Sequence, residues 1–509
     1  MSMEKIKVLL EMRPALDGFA GIPQETRLLF RGLCMLEDIE VEGMLQSSHR
    51  FLAKGTNQAG WGSKQLSDAQ KINRYSRVII STAEKTNLSV VDLCFDFLSR
   101  QIKWAQFFVP ALAGIGPKIK QTNFETTHFK DFVWRALFAK TLPASDFDLV
   151  TAKNYKVCSV PWNTMQSMGL ASLNIFPSPI YPKLDTKGVT IFIAQTPYPA
   201  RVDRQTTLVV RYHDAIPVFM PHTIPNKLFH QAIHYNGLMN CIKQNAYFAC
   251  VSDATRSDLL KIFPQVADRA VTIHNMVSHH YFLEDSPVNR VPGIIRARLY
   301  EESKWLPDFL TNREKESFYS KHLNGEAMRY LLMVSTIEPR KNHLRLLAAW
   351  EVIKATIDPS LKLVVVGTLG WDNSAIGSAF KSWIEKGQLF MLNAVPAADL
   401  RSLYRHATAT VCPSLGEGFD FSGIESMRSG GVVIASDIAV HGEIYGDAAE
   451  YFDSYSTMSL VNSLKKVVYA PDAQQAQERM RIQGQVVSSR YLPENILPQW
   501  DSFLKRISQ

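Results

Sequence analysis

VCPSLGEGFDFSGIESMRSGGVVI, residues 411–434, decides the fold. An apolar run ends at Val411 and Cys412. A loop follows from Pro413 to Asp420, with glycines at Gly416 and Gly418. The spacing predicts a short helix from about Ser422 to Ser429. Gly430 and Gly431 stop it, and Val432 to Ala435 open the next buried strand. Strand, glycine loop, helix and strand make one unit of a parallel α/β sheet. The helix start offers unpaired backbone N–H groups and a positive dipole end, which suits an anion such as a phosphate. Two acids bracket the loop, Glu417 and Glu425. Aimed at a phosphate they would repel it, so they fit better as acceptors for hydroxyls beside it, on a sugar or a ribose. A plainer reading stands next to this one. Ser422-Gly-Ile-Glu425 has the S-x-x-E form of a capping box, in which Glu425 only closes the helix end.

At 509 residues the chain is too long for one ordinary core, so two or more domains are expected. A hydrophobic share of 46% and a charged share of 20% are those of a globular protein in water. The six cysteines are scattered without a Cys-x-x-Cys pair, which points away from a zinc site or a disulfide framework and toward a reducing cytoplasm. The apolar run in the first residues is too short for a signal peptide. Apolar stretches of about 18 residues are missing, so no membrane-spanning helix is expected. A net charge of +8 permits nucleic acid, an anionic membrane or phosphorylated substrates as partners. Without a recognisable nucleic-acid motif, no specific nucleic-acid partner is expected.

Ile6 to Leu10 reads as a strand. A loop through Gly18 and Gly21 follows, and a helical pattern then begins near Gln24, another phosphate-cradling arrangement. It lacks the G-x-G-x-x-G fingerprint of dinucleotide enzymes. Residues 45 to 190 carry little periodic signal. Segment 97–140 is rich in aromatics and holds seven basic residues against two acids. Such a stretch either lies on an anionic membrane surface or packs its aromatics into a helical subdomain. Asp146-Phe147-Asp148 is a D-x-D, a pattern that holds a metal in some glycosyltransferases. Alone in a turn it is discounted, and no metal site is assigned. From residue 189 strands recur, at 189–194, 208–212, 246–251 and 271–273, with His213-Asp214 closing the second. Tyr330 to Val334 opens a second series. Its loop is Ser335-Thr-Ile-Glu-Pro-Arg340-Lys341-Asn342, and a strand ending at Gly367 and another before Val395 come next.

The Gly loop after the first strand, His213-Asp214, TIEPRKN at 336–342 and GEGFDFSGIESM at 416–427 stand in this order. Together they resemble the retaining glycosyltransferases of family 4, in the glycogen-synthase-like superfamily. The resemblance is closest to bacterial mannosyl- and rhamnosyltransferases of O-antigen or exopolysaccharide assembly. It implies the GT-B fold, an α/β architecture of two Rossmann-like domains facing across a cleft. The expected organisation is an acceptor-side domain at 1–285, with an aromatic and basic insertion over about 45–188, then a linker or insertion at 286–328. A donor-binding domain at 329–490 follows, and a C-terminal helix at 491–509 crosses back to the first domain.

The resemblance also implies roles. Arg340 and Lys341 would neutralise a donor diphosphate, Glu417 would face the sugar hydroxyls, Glu425 the ribose, and His213 the reacting sugar. Gly21, Gly367, Val395, Phe419, Asp420 and Phe421 complete the donor-binding set, several of them through backbone N–H groups. Many relatives have a second Gly and an Arg where Pro23 and Ser335 stand here, which leaves Arg340 as the main guanidinium. The implied reaction moves a hexose, mannose or D-rhamnose, from a GDP-linked donor to an oligosaccharide or lipid-linked glycan, with the configuration retained and no metal or other cofactor. The expected location is the cytoplasm, with peripheral contact at the inner membrane allowed. Two alternatives remain, a non-catalytic nucleotide-sugar-binding scaffold and a nucleotide-sugar epimerase of the same fold.

Overall fold

The structure, a computed structural model, describes residues 5–16, 18, 21–57, 66–83 and 90–509. Two large sheets organise it. In the first, strands lie side by side in the order 270–272, 247–250, 207–212, 191–194, 6–11, 39–45, 155–157 and 122–124. The outermost pair, Thr122–Phe124 with Tyr155–Val157, is antiparallel and the other pairs are parallel. The second sheet is parallel throughout, in the order 389–392, 362–366, 330–334, 409–412, 433–436 and 449–452.

Parallel strands need crossovers, and the crossing helices bury both faces of each sheet. Along Ile6–Glu11, Val8 and Leu10 face one core while Leu9 faces another. Along Tyr330–Val334, Leu332 and Leu331 divide in the same way. This is why these strands read as continuous apolar runs in the sequence rather than as alternating ones.

Residues 45–188 add the two edge strands to the first sheet, and their aromatics divide. Phe124 and Phe138 are fully buried in the first core. Trp104 lies half open to solvent, stacked on Phe108. The two acids of the D-x-D pair with separate cations, Asp146 with Arg31 at 3.1 Å and Asp148 with Lys130 at 3.0 Å. Residues 286–328 form helices Arg290–Ala297 and Asn312–His322. Their Val291, Ile295 and Tyr319 pack into the same core as Tyr330 and Leu332.

The last helix, Pro493–Ile507, packs on the first sheet. Ile496, Trp500, Phe503 and Leu504 share a core with Val8, Leu29 and Leu33. The Arg211 guanidinium sits 5.2 Å from the Trp500 ring. Truncating a fully buried Trp removes its packing and leaves a cavity. Trp500→Ala should therefore lower unfolding stability by about 3–5 kcal/mol, read as a shift in the urea midpoint. An unchanged midpoint would mean that the last helix is not part of the first core.

Candidate active site

The carboxyl ends of the central strands of both sheets carry the loops with the candidate residues, where open α/β sheets place ligand groups. Loop 335–342 follows strand Tyr330–Val334, and loop 413–420 follows its neighbour Ala409–Cys412. The two loops are tied together. Leu415 N donates to Arg340 O at 2.9 Å, and Asn342 Nδ2 donates to Pro413 O at 3.0 Å. Asn342 holds φ 62°, a conformation Asn tolerates better than most residues, and helix His343–Thr356 starts from it.

Arg340 and Lys341 meet in this knot. Arg340 donates to Gly416 O at 2.5 Å, to Glu417 Oε2 at 2.9 Å and to Glu338 Oε1 at 2.8 Å. Lys341 Nζ donates to Glu417 Oε1 at 2.5 Å. One carboxylate thus bridges both cations. Burial alone would raise the Glu417 pKa, but Arg340 and Lys341 outweigh it and hold the carboxyl below its ordinary value. Burial likewise works against the Arg340 charge, and Glu417, Glu338 and Asp214 more than restore it. Both Glu417 oxygens therefore face cations, where the sequence suggested sugar hydroxyls. Glu338 was quoted within the motif but given no role, and it is the second counter-charge.

Asp420 caps the next helix. Its Oδ1 accepts from Ser422 N at 3.1 Å, and its other oxygen faces His441 Nε2 at 3.3 Å. The helix runs Phe421–Arg428, one residue earlier than the spacing predicts. That shift removes the expected capping box, because Glu425 is now too deep in the helix to reach the cap's N–H. Glu425 instead meets the opposite domain. Its Oε1 accepts from Gln24 Nε2 at 2.7 Å, its Oε2 accepts from Tyr404 Oη at 3.2 Å, and Tyr281 adds a further hydrogen bond. Burial pushes the carboxyl up to about 7, with Gln24, Tyr404 and Tyr281 partly offsetting it. Phe419 and Phe421 pack edge to face, 5.1 Å apart, in the second core, so their side chains are structural.

Gly21 caps helix Ile22–Leu33 at φ 70°, and a Cβ there would have no heavy atom within 4 Å. The left-handed conformation calls for glycine, and the space above it is open. Gln24, in the first turn of that helix, was missed by the sequence reading. Its partner lies 401 positions away, and no local pattern links them. His213 follows strand Thr207–Tyr212, with Nε2 3.4 Å from Gln195 Oε1. Burial, helped by Arg211, lowers its pKa to about 3, so the imidazole is neutral near pH 7. A Cβ at Gly418 would overlap the His213 carbonyl oxygen, so the two halves touch here. Gly367 is also set by packing, since a Cβ would run into the Ser335 carbonyl. Val395 lies half-buried against the second core, at the end of the outermost strand. Among the described residues, no group of three or more His, Cys, Asp or Glu side chains is gathered to hold a metal.

Further bonds close the cleft. Glu443 accepts from the amides of Asp253 and Ala254, at 2.7 and 2.8 Å, and lies 2.7 Å from His274 Nε2. Ser252 Oγ donates to Gly418 O at 2.8 Å, and Trp371 Nε1 donates to Thr223 O at 2.9 Å.

Residues 314–485, which contain the cation knot and both glutamates, match the family described as glycosyl transferases group 1. This third of the chain is similar to group 1 glycosyltransferase domains. O-antigen chain mannosyltransferase B of Escherichia coli is 27% identical over 252 residues, 49% of this chain and 57% of that protein. O-antigen chain mannosyltransferase RfbU of Salmonella typhimurium is 23% identical over 270 residues, 53% of this chain and 63% of that protein. The chain thus spans less than two-thirds of the length of either relative. Sucrose-phosphate synthase from Thermosynechococcus elongatus superposes over 99% of both chains, with a TM-score of 0.55 and 12% identity. The group 1 domain and its partner domain form the GT-B fold expected from the motifs.

Glu425 gives the site a pH signature. Unfolded, its carboxyl titrates at its ordinary 4.5, and folded at about 7. Because the folded value is raised, the stability tied to this group is complete below the lower value and is lost as pH rises through the upper one. Glu425→Gln removes that slope. Between about pH 4 and about pH 8 the wild type should lose about 3 kcal/mol relative to the variant, measured from urea midpoints. Parallel pH curves for the two proteins would contradict it.

Proposed function

We propose that the chain is a retaining glycosyltransferase that moves a hexose, mannose or D-rhamnose, from a GDP-linked donor to a glycan acceptor in bacterial surface-polysaccharide assembly. The observation that carries the reading is the Arg340–Lys341–Glu417 knot on the same loop and helix as Glu425, with Gln24 bonded to Glu425 and the His213 backbone against Gly418 from the other domain. The O-antigen mannosyltransferases among its relatives support the class of sugar and pathway.

In this reaction the bond from the sugar's anomeric carbon to the diphosphate breaks, and a bond to the acceptor oxygen forms on the same face. The departing phosphate oxygen takes the acceptor's proton. Arg340 and Lys341 stabilise the charge that grows on the diphosphate, in a site with little water to screen it. Arg340 keeps guanidinium donors for a bidentate contact, and Lys341 acts as a point charge. The positive charge comes from these side chains, so no metal is required. Neutral His213 orients the sugar through a hydrogen bond and does not act as a charged acid. The ribose hydroxyls take the Glu425 oxygen that Gln24 now holds, and Gln24 swings aside.

Lys341→Ala and Glu425→Ala should each cut turnover by about 10²-fold or more, with the fold intact by circular dichroism. The assay follows GDP release from GDP-mannose with a panel of glycan primers, and product mass. Wild-type turnover in both variants would overturn the site assignment. Isomerised donor without acceptor would point to an epimerase, and nucleotide-sugar binding with no turnover on any primer would point to a scaffold.

A further inference from the structure

Helix Val90–Leu112 leans on helix Trp162–Ser172 of the first domain. The inner side of its second half is settled, because Phe108 and Ala111 are buried against Met168. The outer side is not. Ile102 is 60% exposed, Val109 64% and Leu112 44%, and Ile115 just beyond the helix is 64% exposed. Residues 102, 109 and 112 fall on one stripe of an α-helix, with Ala105 and Ala113, both also exposed, between and beside them. Ile175, at the end of the neighbouring helix, is 58% exposed as well. Large aliphatics scattered singly over a surface need no explanation, but a continuous row of them marks an interaction site.

The charges around the row name the partner. Lys103, Lys118 and Lys120 are exposed along the same stretch, Lys118 in an ion pair with Asp185 at 3.2 Å, and the sequence holds no Asp or Glu between Asp96 and Glu125. An apolar stripe whose own segment carries lysines and no acids fits a surface with an apolar interior and an anionic skin. A second copy of the chain fits poorly, since pairing the stripe with itself would bring these lysines toward their own copies. Among the described residues no helix is long and apolar enough to cross a membrane, so the contact is one of lying on the surface.

We propose that the outer face of residues 102–120 docks the first domain onto an anionic lipid bilayer, with Ile102, Val109, Leu112 and Ile115 entering the headgroup region and Lys103 and Lys120 meeting lipid phosphates. The inference does not depend on the transfer reaction. If both hold, docking here brings the cleft to glycans carried on lipids.

The test is sedimentation of the full chain with two kinds of vesicle, phosphatidylcholine alone and phosphatidylcholine mixed with phosphatidylglycerol. The wild type should pellet with the anionic vesicles at low salt and be partly released at high salt. The double variant Val109→Glu, Leu112→Glu should bind at least an order of magnitude more weakly. Lys103→Glu with Lys120→Glu should abolish the preference for anionic lipid. All substituted side chains are exposed, so melting temperatures should stay at the wild-type value. Val109→Ser with Leu112→Ser serves as a milder pair should the glutamates disturb folding, and it too should bind more weakly. A wild type that stays in the supernatant with anionic vesicles overturns the proposal. So does unchanged pelleting of both apolar-face variants, or a wild-type dimer in gel filtration that the Val109→Glu, Leu112→Glu variant converts to a monomer.

Discussion

Arg340 and Lys341 stand side by side in a loop that leaves little of either side chain to water, and only carboxylates make that arrangement tolerable. Glu417 bonds both cations and Glu338 bonds Arg340 a second time. Buried charges are stable when paired and costly when one partner is taken away. The knot therefore fixes the geometry of the loops that carry it, and Arg340 O and Asn342 reinforce it through the backbone of loop 413–420. In the proposed reaction a diphosphate enters by exchange. It assumes part of the counter-charge that Glu417 supplies, and so meets cations already held in place rather than cations that must be ordered on arrival.

A second constraint comes from the opposite domain. The start of helix Asp253–Ile262 takes its own Ser252 as cap and also a carboxylate, Glu443, from across the cleft. Gly418 receives Ser252 through its carbonyl and has no Cβ to collide with the His213 backbone. Gln24 closes on Glu425. These contacts join the two halves at the same loops that carry the candidate donor-binding residues. A nucleotide entering between them must compete with at least the Gln24 bond.

Much of this was legible in one sequence because parallel strands buried on both faces are short apolar runs, and their loops carry glycines, Asn and charged residues that a regular element would avoid. Strand Tyr330–Val334 and the loop to Asn342 are plain in that way. What stayed hidden depends on distance or on a single residue of register. The Gln24–Glu425 bond joins residues with no local relation. The helix after Asp420 starts one position early because Asp, not Ser422, accepts from its first turn. Gly367, expected in the donor-binding set, has the Ser335 carbonyl where a Cβ would sit, a close approach that no local pattern announces. The aromatic stretch at 97–140 admitted a core and a surface reading, and the fold divides it, Phe124 and Phe138 inward and Trp104 outward. Composition alone does not make such a division, since it is set by which helix face meets the sheet.

The central claim is that the knot and Glu425 form one nucleotide-sugar site. The most direct measurement is a crystal structure of the chain with GDP-mannose. The account predicts the diphosphate within hydrogen-bond reach of Arg340 and Lys341, the ribose on Glu425, and Gln24 moved off that carboxylate. A nucleotide bound elsewhere, or one bound while Gln24 still holds Glu425, would contradict it.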